Sequence, residues 1–389
     1  MRELPYTTPE QMTSSMRVVT GCMLALLGIG SVMAYSSAMV DALRESGPGG
    51  VLHPLALHLL KVAFAMLAFL VALRAGPRRL FALARPAWIA AVTLLVLLLV
   101  VGARRNGAVR WFGVGGTSFQ PSEFARVATI LMIGAWMVAV RERAADVKYG
   151  LAVPFGLALV PAMLVFCEPD YGSSVYLLFM AVLVMWVGGA RSKHLLAAFV
   201  PTLVAASLVG WFAFPHFRQR IEGFRNPGTD YQVTQGLTAL GSGGVFGAGL
   251  GNGMGKWGLL PEAQNDFLFA VVGEELGLVG TGLVVLLYAL FLWHGVRLLL
   301  GMRSRFALVV GTGLLMQVAV QAVLNIAVVT AVAPNKGLPL PFVSAGGTSL
   351  LMLCISTGLL LGLARAPEED PQLEARWATS LARRGESGV

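Results

Sequence analysis

The sequence predicts an all-α polytopic membrane protein of about ten transmembrane helices, with a large extracytoplasmic loop between helices 7 and 8. Three observations carry this. Of 389 residues, 56% are hydrophobic and 13% charged, with mean hydropathy +0.73, an excess that no soluble domain of this length needs. Apolar runs recur at roughly 17–25 residues, the length that spans a bilayer core. The runs do not alternate: Leu94 to Val101 reads LLVLLLVV, where a membrane β-barrel would show period two.

The expected spans are 17–40, 52–73, 86–102, 122–140, 150–167, 173–189, 195–214, 267–294, 306–332 and 348–365. DALRESGPGG is a turn-rich link after the first. The eighth is long enough to tilt. Between the fifth and sixth stands only EPDYG (Glu168 to Gly172), which must be a tight turn or a protein-lined break, because exposed irregular backbone is not tolerated in hydrocarbon. No A-x-A-like site follows the first run, so it reads as a retained helix rather than a signal peptide. The organisation is then an N-terminal tail (1–16), one membrane domain (17–366) with residues 215–266 as its outer loop, and a polar C-terminal tail (367–389).

With the N-terminus in the cytoplasm, inner links carry eighteen Lys and Arg and outer links nine. This bias places both termini in the cytoplasm. The net charge of +9 is scattered between apolar runs and does not form a nucleic-acid surface. Cys22, Cys167 and Cys354 lie far apart in apolar segments, with no metal or disulfide spacing. Outer basic residues, among them Arg110, Lys256 and Lys336, run against the charge rule and are read as binding groups.

Four outer links combine charge with turn chemistry: Asn106 to Glu123, EPDYG, Pro215 to Asp266, and Ala333 to Gly347. The segment Lys256 to Gly280 (KWGLLPEAQNDFLFAVVGEELGLVG) is the most telling. A helix expected to start at Asp266 carries Glu274 and Glu275 about two turns in. An ionisable group at membrane depth is costly and marks a functional site by default. Asp266 also reads as an acid favoured by a helix dipole, and both readings stay open. Glu274 and Glu275 read as a structural pair bonded to Arg, Lys or backbone. The Gly-rich stretch Ala239 to Gly258 is read either as an anion-binding nest or as a flexible surface link; Lys256 is followed by Trp257, so it is not a Walker loop. QPSE (Gln120 to Glu123) is a helix start. Trp111 suits a membrane interface, and Arg110 suits a phosphate or carboxylate.

Six motifs in order resemble the SEDS family of peptidoglycan glycosyltransferases, the FtsW/RodA group: VMAYSSA; NGAVRW with QPSE; EPDYGSS; YQVTQGLTALGSGGVFGAGLG; PEAQNDFLFAVVGEELG; and NKGLPLPFVSAGGTS. Tyr231-Gln232 and Gly273-Glu274-Glu275 look closer to FtsW than to RodA. The resemblance implies polymerisation of lipid II into β-1,4 glycan strands at the outer face of the bacterial cytoplasmic membrane during division. It places the catalytic acid on Asp266, and substrate contacts on Arg110, Glu123, Glu168, Asp170, Gln235, Lys336 and Ser344. Trp111, Glu274 and Glu275 would support. It implies a divalent cation, Mg2+ or Mn2+, with no ligands assigned, and as partners a class B penicillin-binding protein and divisome proteins. Arg218 or Arg220 could join Arg110 and Lys336 as cations opposite a diphosphate. Arg126 stands where many members have Lys, Ala345 where an aromatic precedes the double Gly, and Asn265 where Thr is frequent. A lipid II flippase and a non-catalytic scaffold for a transpeptidase are the alternatives; the first needs access from both leaflets, the second tolerates loss of Asp266.

Overall fold

Backbone polar groups must be satisfied within hydrocarbon, so apolar runs of this length fold as helices. A computed structural model of the chain describes residues 8–46, 52–102, 110–114, 117–226, 228, 230–257, 260, 264–335 and 337–365. The helices are α1 (Pro9–Ser46), α2 (Leu52–Ala72), α3 (Pro77–Val101), α4 (Pro121–Ala139), α5 (Val153–Cys167), α6 (Tyr171–Val187), α7 (Ser192–Ala213), α8 (Pro215–Arg225), α9 (Tyr231–Ser242), α10 (Leu268–Gly301), α11 (Arg305–Val329) and α12 (Gly347–Arg365). An antiparallel hairpin, β1 (Phe112–Val114) with β2 (Thr117–Phe119), precedes α4.

Among the described residues nine helices are long and apolar enough to cross a membrane. The 17-residue α6 makes the tenth. The chain is a multi-pass, all-α membrane protein. In the bundle α1 lies against α10, α2 against α12, α3 against α4, and α5 against α6. The α4 span is the most enclosed, 83% of it buried, and α7 the least, at 11%.

Several bounds differ from those expected, each for a local reason. α1 begins at Pro9, well before residue 17. Its start is a capping box: the Gln11 N–H donates to Thr8 Oγ1 (3.3 Å) and the Thr8 N–H to Gln11 Oε1 (3.2 Å). α3 begins at Pro77 rather than 86, because Pro77 starts the helix and Pro86 is accommodated within it. A π-helical turn, Val147–Ala152, leads into α5. α10 runs on to Gly301. The described residues of segment 215–266 form two α-helices, α8 and α9; Asp230 caps α9, accepting from the N–H groups of Gln232 (3.0 Å) and Val233 (3.3 Å).

The Gly-rich stretch is not a loose link. α10 breaks at Gly277 (φ 67°, ψ −161°), a region that only glycine enters readily. The backbone freed by the break is taken up by the stretch itself. Ala248 N–H donates to the Glu274 carbonyl (2.9 Å) and Gly249 N–H to that of Glu275 (3.1 Å); in return the N–H groups of Leu278 and Val279 donate to the carbonyls of Gly244 (3.0 Å) and Val245 (3.2 Å). The stretch is also an anion nest whose anions are the protein's own. Met254 N–H (2.6 Å) and Gly255 N–H (3.1 Å) donate to the Glu274 carboxylate, and Gly251 N–H to Glu275 Oε2 (3.0 Å). Lys256 Nζ lies 2.7 Å from Glu275 Oε1 and donates to Ser36 Oγ of α1 (2.8 Å). Glu274 and Glu275 are thus the structural pair expected. Lys256 is not an outer binding cation: it is buried, because its charge answers Glu275.

Gly277→Ala should cost about 3 kcal/mol, since its Cβ would come within 2.4 Å of the Gly247 nitrogen. Thermal unfolding in detergent tests this against Gly282→Ala, where a Cβ meets nothing within 4 Å; equal midpoints would contradict the assignment. Lys256→Ala should cost roughly 3–5 kcal/mol by stranding a buried carboxylate, and adding Glu275→Gln should recover part of that loss in the same assay.

Candidate functional site

The turn between α5 and α6 forms one wall. Asp170 caps α6, its Oδ1 accepting the Ser173 N–H (3.2 Å), while Gln120 Nε2 stands 3.5 Å from its Oδ2. Glu168 is fully buried, and neither of its carboxylate oxygens has a hydrogen-bond partner. Burial, and then the Asp170 charge, push its carboxyl from 4.5 up to about 8, against an opposing pull from Arg110. Arg110 donates through Nε to the Glu168 carbonyl (3.4 Å) and through Nη2 to that of Pro169. It therefore clamps the backbone of the turn. Trp111 follows it, half-buried, at the entry to β1. The hairpin in turn docks on α12, Thr348 Oγ1 donating to the Ser118 carbonyl (3.0 Å) and accepting the Gln120 N–H (3.2 Å).

Arg220 of α8 enters the same patch. Burial lowers its guanidinium from the ordinary value, and Arg110 lowers it further; Asp170, Asp266 and Asp230 oppose this. Charged side chains from three links thus meet at Arg220: Arg110, Asp170 and Asp266 all act on it. Arg218, the other candidate in this helix, is exposed.

Asp266 does not begin α10. It lies in the turn 264–267, and the helix starts at Leu268. No dipole is needed to hold it, because neighbours fix the turn. Asn325 Nδ2 of α11 donates to the Asp266 carbonyl (2.8 Å), Ser344 Oγ to that of Asn265 (2.6 Å), and Ala345 N–H to that of Gln264 (3.2 Å). Ser344 is pinned by the Leu340 N–H (2.8 Å). Its turn contains Phe342 at φ 62°, a conformation non-glycine residues keep only when surroundings enforce it; here the Tyr288 hydroxyl donates to the Pro341 carbonyl next to it. Ser344 is thus a positioning residue for the Asp266 turn. The contacts at Asn265 and Ala345 are made by backbone, so the departures noted there leave them intact. A Cβ on Gly337 (φ 67°) would lie 3.5 Å from Asp266 Oδ2. Lys336, its neighbour in sequence, lies outside the described residues.

Glu123 is buried in the first turn of α4, paired with Arg126. Arg126 Nη1 donates to Gln321 Oε1 (3.1 Å), and its guanidinium stands 5.1 Å over the Tyr176 ring. Gln321 Nε2 donates to the Pro339 carbonyl (2.9 Å), and Asn325 Nδ2 to that of Leu338 (2.8 Å). A polar chain so runs from Glu123 across α11 to the segment beside Asp266. Gln321 and Asn325 were not among the expected residues. Gln317, Gln321 and Asn325 recur every fourth position in an apolar helix, a one-face polar stripe that could have revealed them. Gln235 is half-buried on α9; the next residue, Gly236, abuts Phe267.

No group of three or more His, Cys, Asp or Glu that could hold a metal ion occurs among the described residues. Glu168 is enclosed and favours its protonated form, and metal ligands must be deprotonated. Asp170 and Asp266 both face Arg220. The described side chains therefore do not fit a resident divalent cation.

A family model described as "Cell cycle protein", of FtsW, RodA and SpoVE, matches residues 16–369. The chain belongs to that family. Among relatives of this FtsW/RodA-family chain, a probable peptidoglycan glycosyltransferase FtsW from Thioalkalivibrio sulfidiphilus is 37% identical over 91% of this chain and 90% of its own. One from Coxiella burnetii is 34% identical over 89% and 95%. Stage V sporulation protein E of Bacillus subtilis is 36% identical over 70% and 76%. A chain from a peptidoglycan synthase complex that coordinates polymerization and crosslinking superposes with TM-score 0.72, at 28% identity, covering 89% of this chain and 96% of that one. Rod shape determining protein RodA of Thermus thermophilus superposes at 0.67, 28% identical, covering 90% and 97%. Sequence likeness makes the chain an FtsW-like member, and the fold agrees with the family.

A buried acid that is harder to ionise when folded lowers stability as pH rises between its unfolded and folded values. Here the window is 4.5 to about 8. Wild type should lose thermal stability across that window relative to Glu168→Gln, and run parallel to it above. Parallel curves throughout would mean Glu168 ionises normally.

Proposed function

We propose that the chain is a peptidoglycan glycosyltransferase of cell-wall synthesis, polymerising lipid II at the outer face of the cytoplasmic membrane, with both termini inside. One observation carries this reading. Asp266 is held by three separate backbone contacts to its turn, within the field of Arg220. A carboxylate fixed in position beside cations suits a reaction that removes a proton at one end and expels a diphosphate at the other.

Asp266 accepts the proton of the acceptor's GlcNAc 4-hydroxyl. That oxygen attacks the donor's MurNAc anomeric carbon as the bond to the diphosphate oxygen breaks. Undecaprenyl pyrophosphate leaves with the bonding electrons, and inversion forms the β-1,4 link. Arg110 and Arg220 are the cations that would face the departing diphosphate, with Lys336 in the adjoining link. A divalent cation, Mg2+ or Mn2+, would enter with the diphosphate, as ions that keep most of their ligands from phosphate and water do, and no step is assigned to it. Both polyprenyl tails stay in hydrocarbon. A class B penicillin-binding protein would crosslink the strands, with divisome proteins recruiting the pair.

The test is polymer formation. Purified with its transpeptidase partner and given lipid II and Mg2+, wild type should make glycan chains. Asp266→Ala should lose activity by 10²-fold or more, on the order of a general base's contribution. Chains from both proteins would remove Asp266 as the base. Chains from neither would send the question to a lipid II flipping assay.

A further inference from the structure

The start of α1 and the ends of α2 and α12 meet at the end of the bundle remote from Asp266. α12 passes Thr348 beside the hairpin and ends, roughly 26 Å further along at 1.5 Å per residue, at Arg365. There a groove of about 690 Å³ opens between the three helices. Its wall is apolar: Met12, Met16, Leu24, Leu73 and Leu361 line it. Leu24 is 47% exposed, so the wall is not sealed by protein. Arg17 and Arg365 line the same groove, both with exposed side chains. No acidic residue lines it, and neither arginine forms an ion pair among the described residues.

We propose that this groove binds one anionic phospholipid, its phosphate between Arg17 and Arg365 and an acyl chain along the apolar wall. Charge complementarity selects the occupant. Two guanidiniums beside hydrocarbon need a counter-charge, and a phosphate accepts their paired N–H groups as a fork. A zwitterionic lipid would fill the wall but bring its own cation to the arginines. The volume lies within the range of small-molecule sites. This end also carries Arg74 in the link after α2 and Arg78 and Arg79 at the start of α3, the excess that marks the cytoplasmic side, where anionic lipids attract basic groups.

Native mass spectrometry of the full chain, purified in detergent and titrated with phosphatidylglycerol or phosphatidylcholine, tests this. Wild type should retain phosphatidylglycerol in preference. R17Q/R365Q should bind it more weakly by about a factor of five per arginine, on the order of thirty-fold for the pair. Phosphatidylcholine retention should not change, and R17K/R365K should keep most of the preference. Equal phosphatidylglycerol retention by wild type and R17Q/R365Q, or equal loss of both lipids, overturns the proposal. Residues 366–389 follow Arg365 and include Glu368, Glu369 and Asp370, so the comparison is repeated with residues 367–389 deleted. The same fall in that background supports the lipid. Retention insensitive to the arginine pair there means that the tail is their partner, and the proposal fails.

Discussion

The joint between the Gly-rich stretch and the break in α10 is the constraint on which the rest depends. A helix interrupted at Gly277 exposes peptide groups that hydrocarbon cannot satisfy. Residues 244–249 satisfy them by pairing with residues 274–279. The carboxylates of Glu274 and Glu275 then complete what the backbone begins, and Lys256 and Ser36 tie the assembly to α1. Because the chain leaves this joint and reaches Asp266 within ten residues of Lys256, the joint fixes where the site segment starts. Asn325 and Ser344 fix where it ends.

The site is consequently made of links rather than of helices, and each link is over-determined. Arg110 spends its guanidinium on two carbonyls of the Glu168 turn. Asp170 caps a helix while contributing charge. Such dual use lets a few polar groups hold a rigid surface at one end of an apolar bundle. It also separates roles that look alike in composition. Of the acids at or near this end of the bundle, Glu274 and Glu275 are consumed by structure, Glu168 is driven towards its neutral form, and Asp170 and Asp266 act on Arg220.

Much of this was legible in the sequence, and the reasons for the rest are physical. Apolar run length gave the ten spans, because bilayer thickness dictates it. It misplaced the start of α1 and of α3, since hydropathy reports depth in the membrane and helices continue past it. Thr8 and Gln11, spaced as a capping box, held that information. Asp266 stood out as an acid, but its turn did not, because the hydrogen bonds that shape the turn come from residues 59 and 79 positions away. Lys256 looked like an outer binding cation because nothing local shows that it is buried against Glu275. Gln321 and Asn325 were missed for a different reason. A periodic polar stripe inside an apolar helix is visible only when polar residues are counted as carefully as apolar ones.

The sparsely packed α7 has a mechanical consequence. A helix with 11% of its span buried has few neighbours within the chain to set its tilt, and tilting is one way a span matches the bilayer. At its end Phe214 and Phe217 stack on Tyr171, with ring centroids 5.0 and 5.5 Å away. That corner is a pivot seated on the Glu168–Asp170 turn, and α8, bearing Arg220, is the lever arm beyond it. Among the described candidate spans the chain itself encloses α7 least, and it is this span that leads into α8 and Arg220.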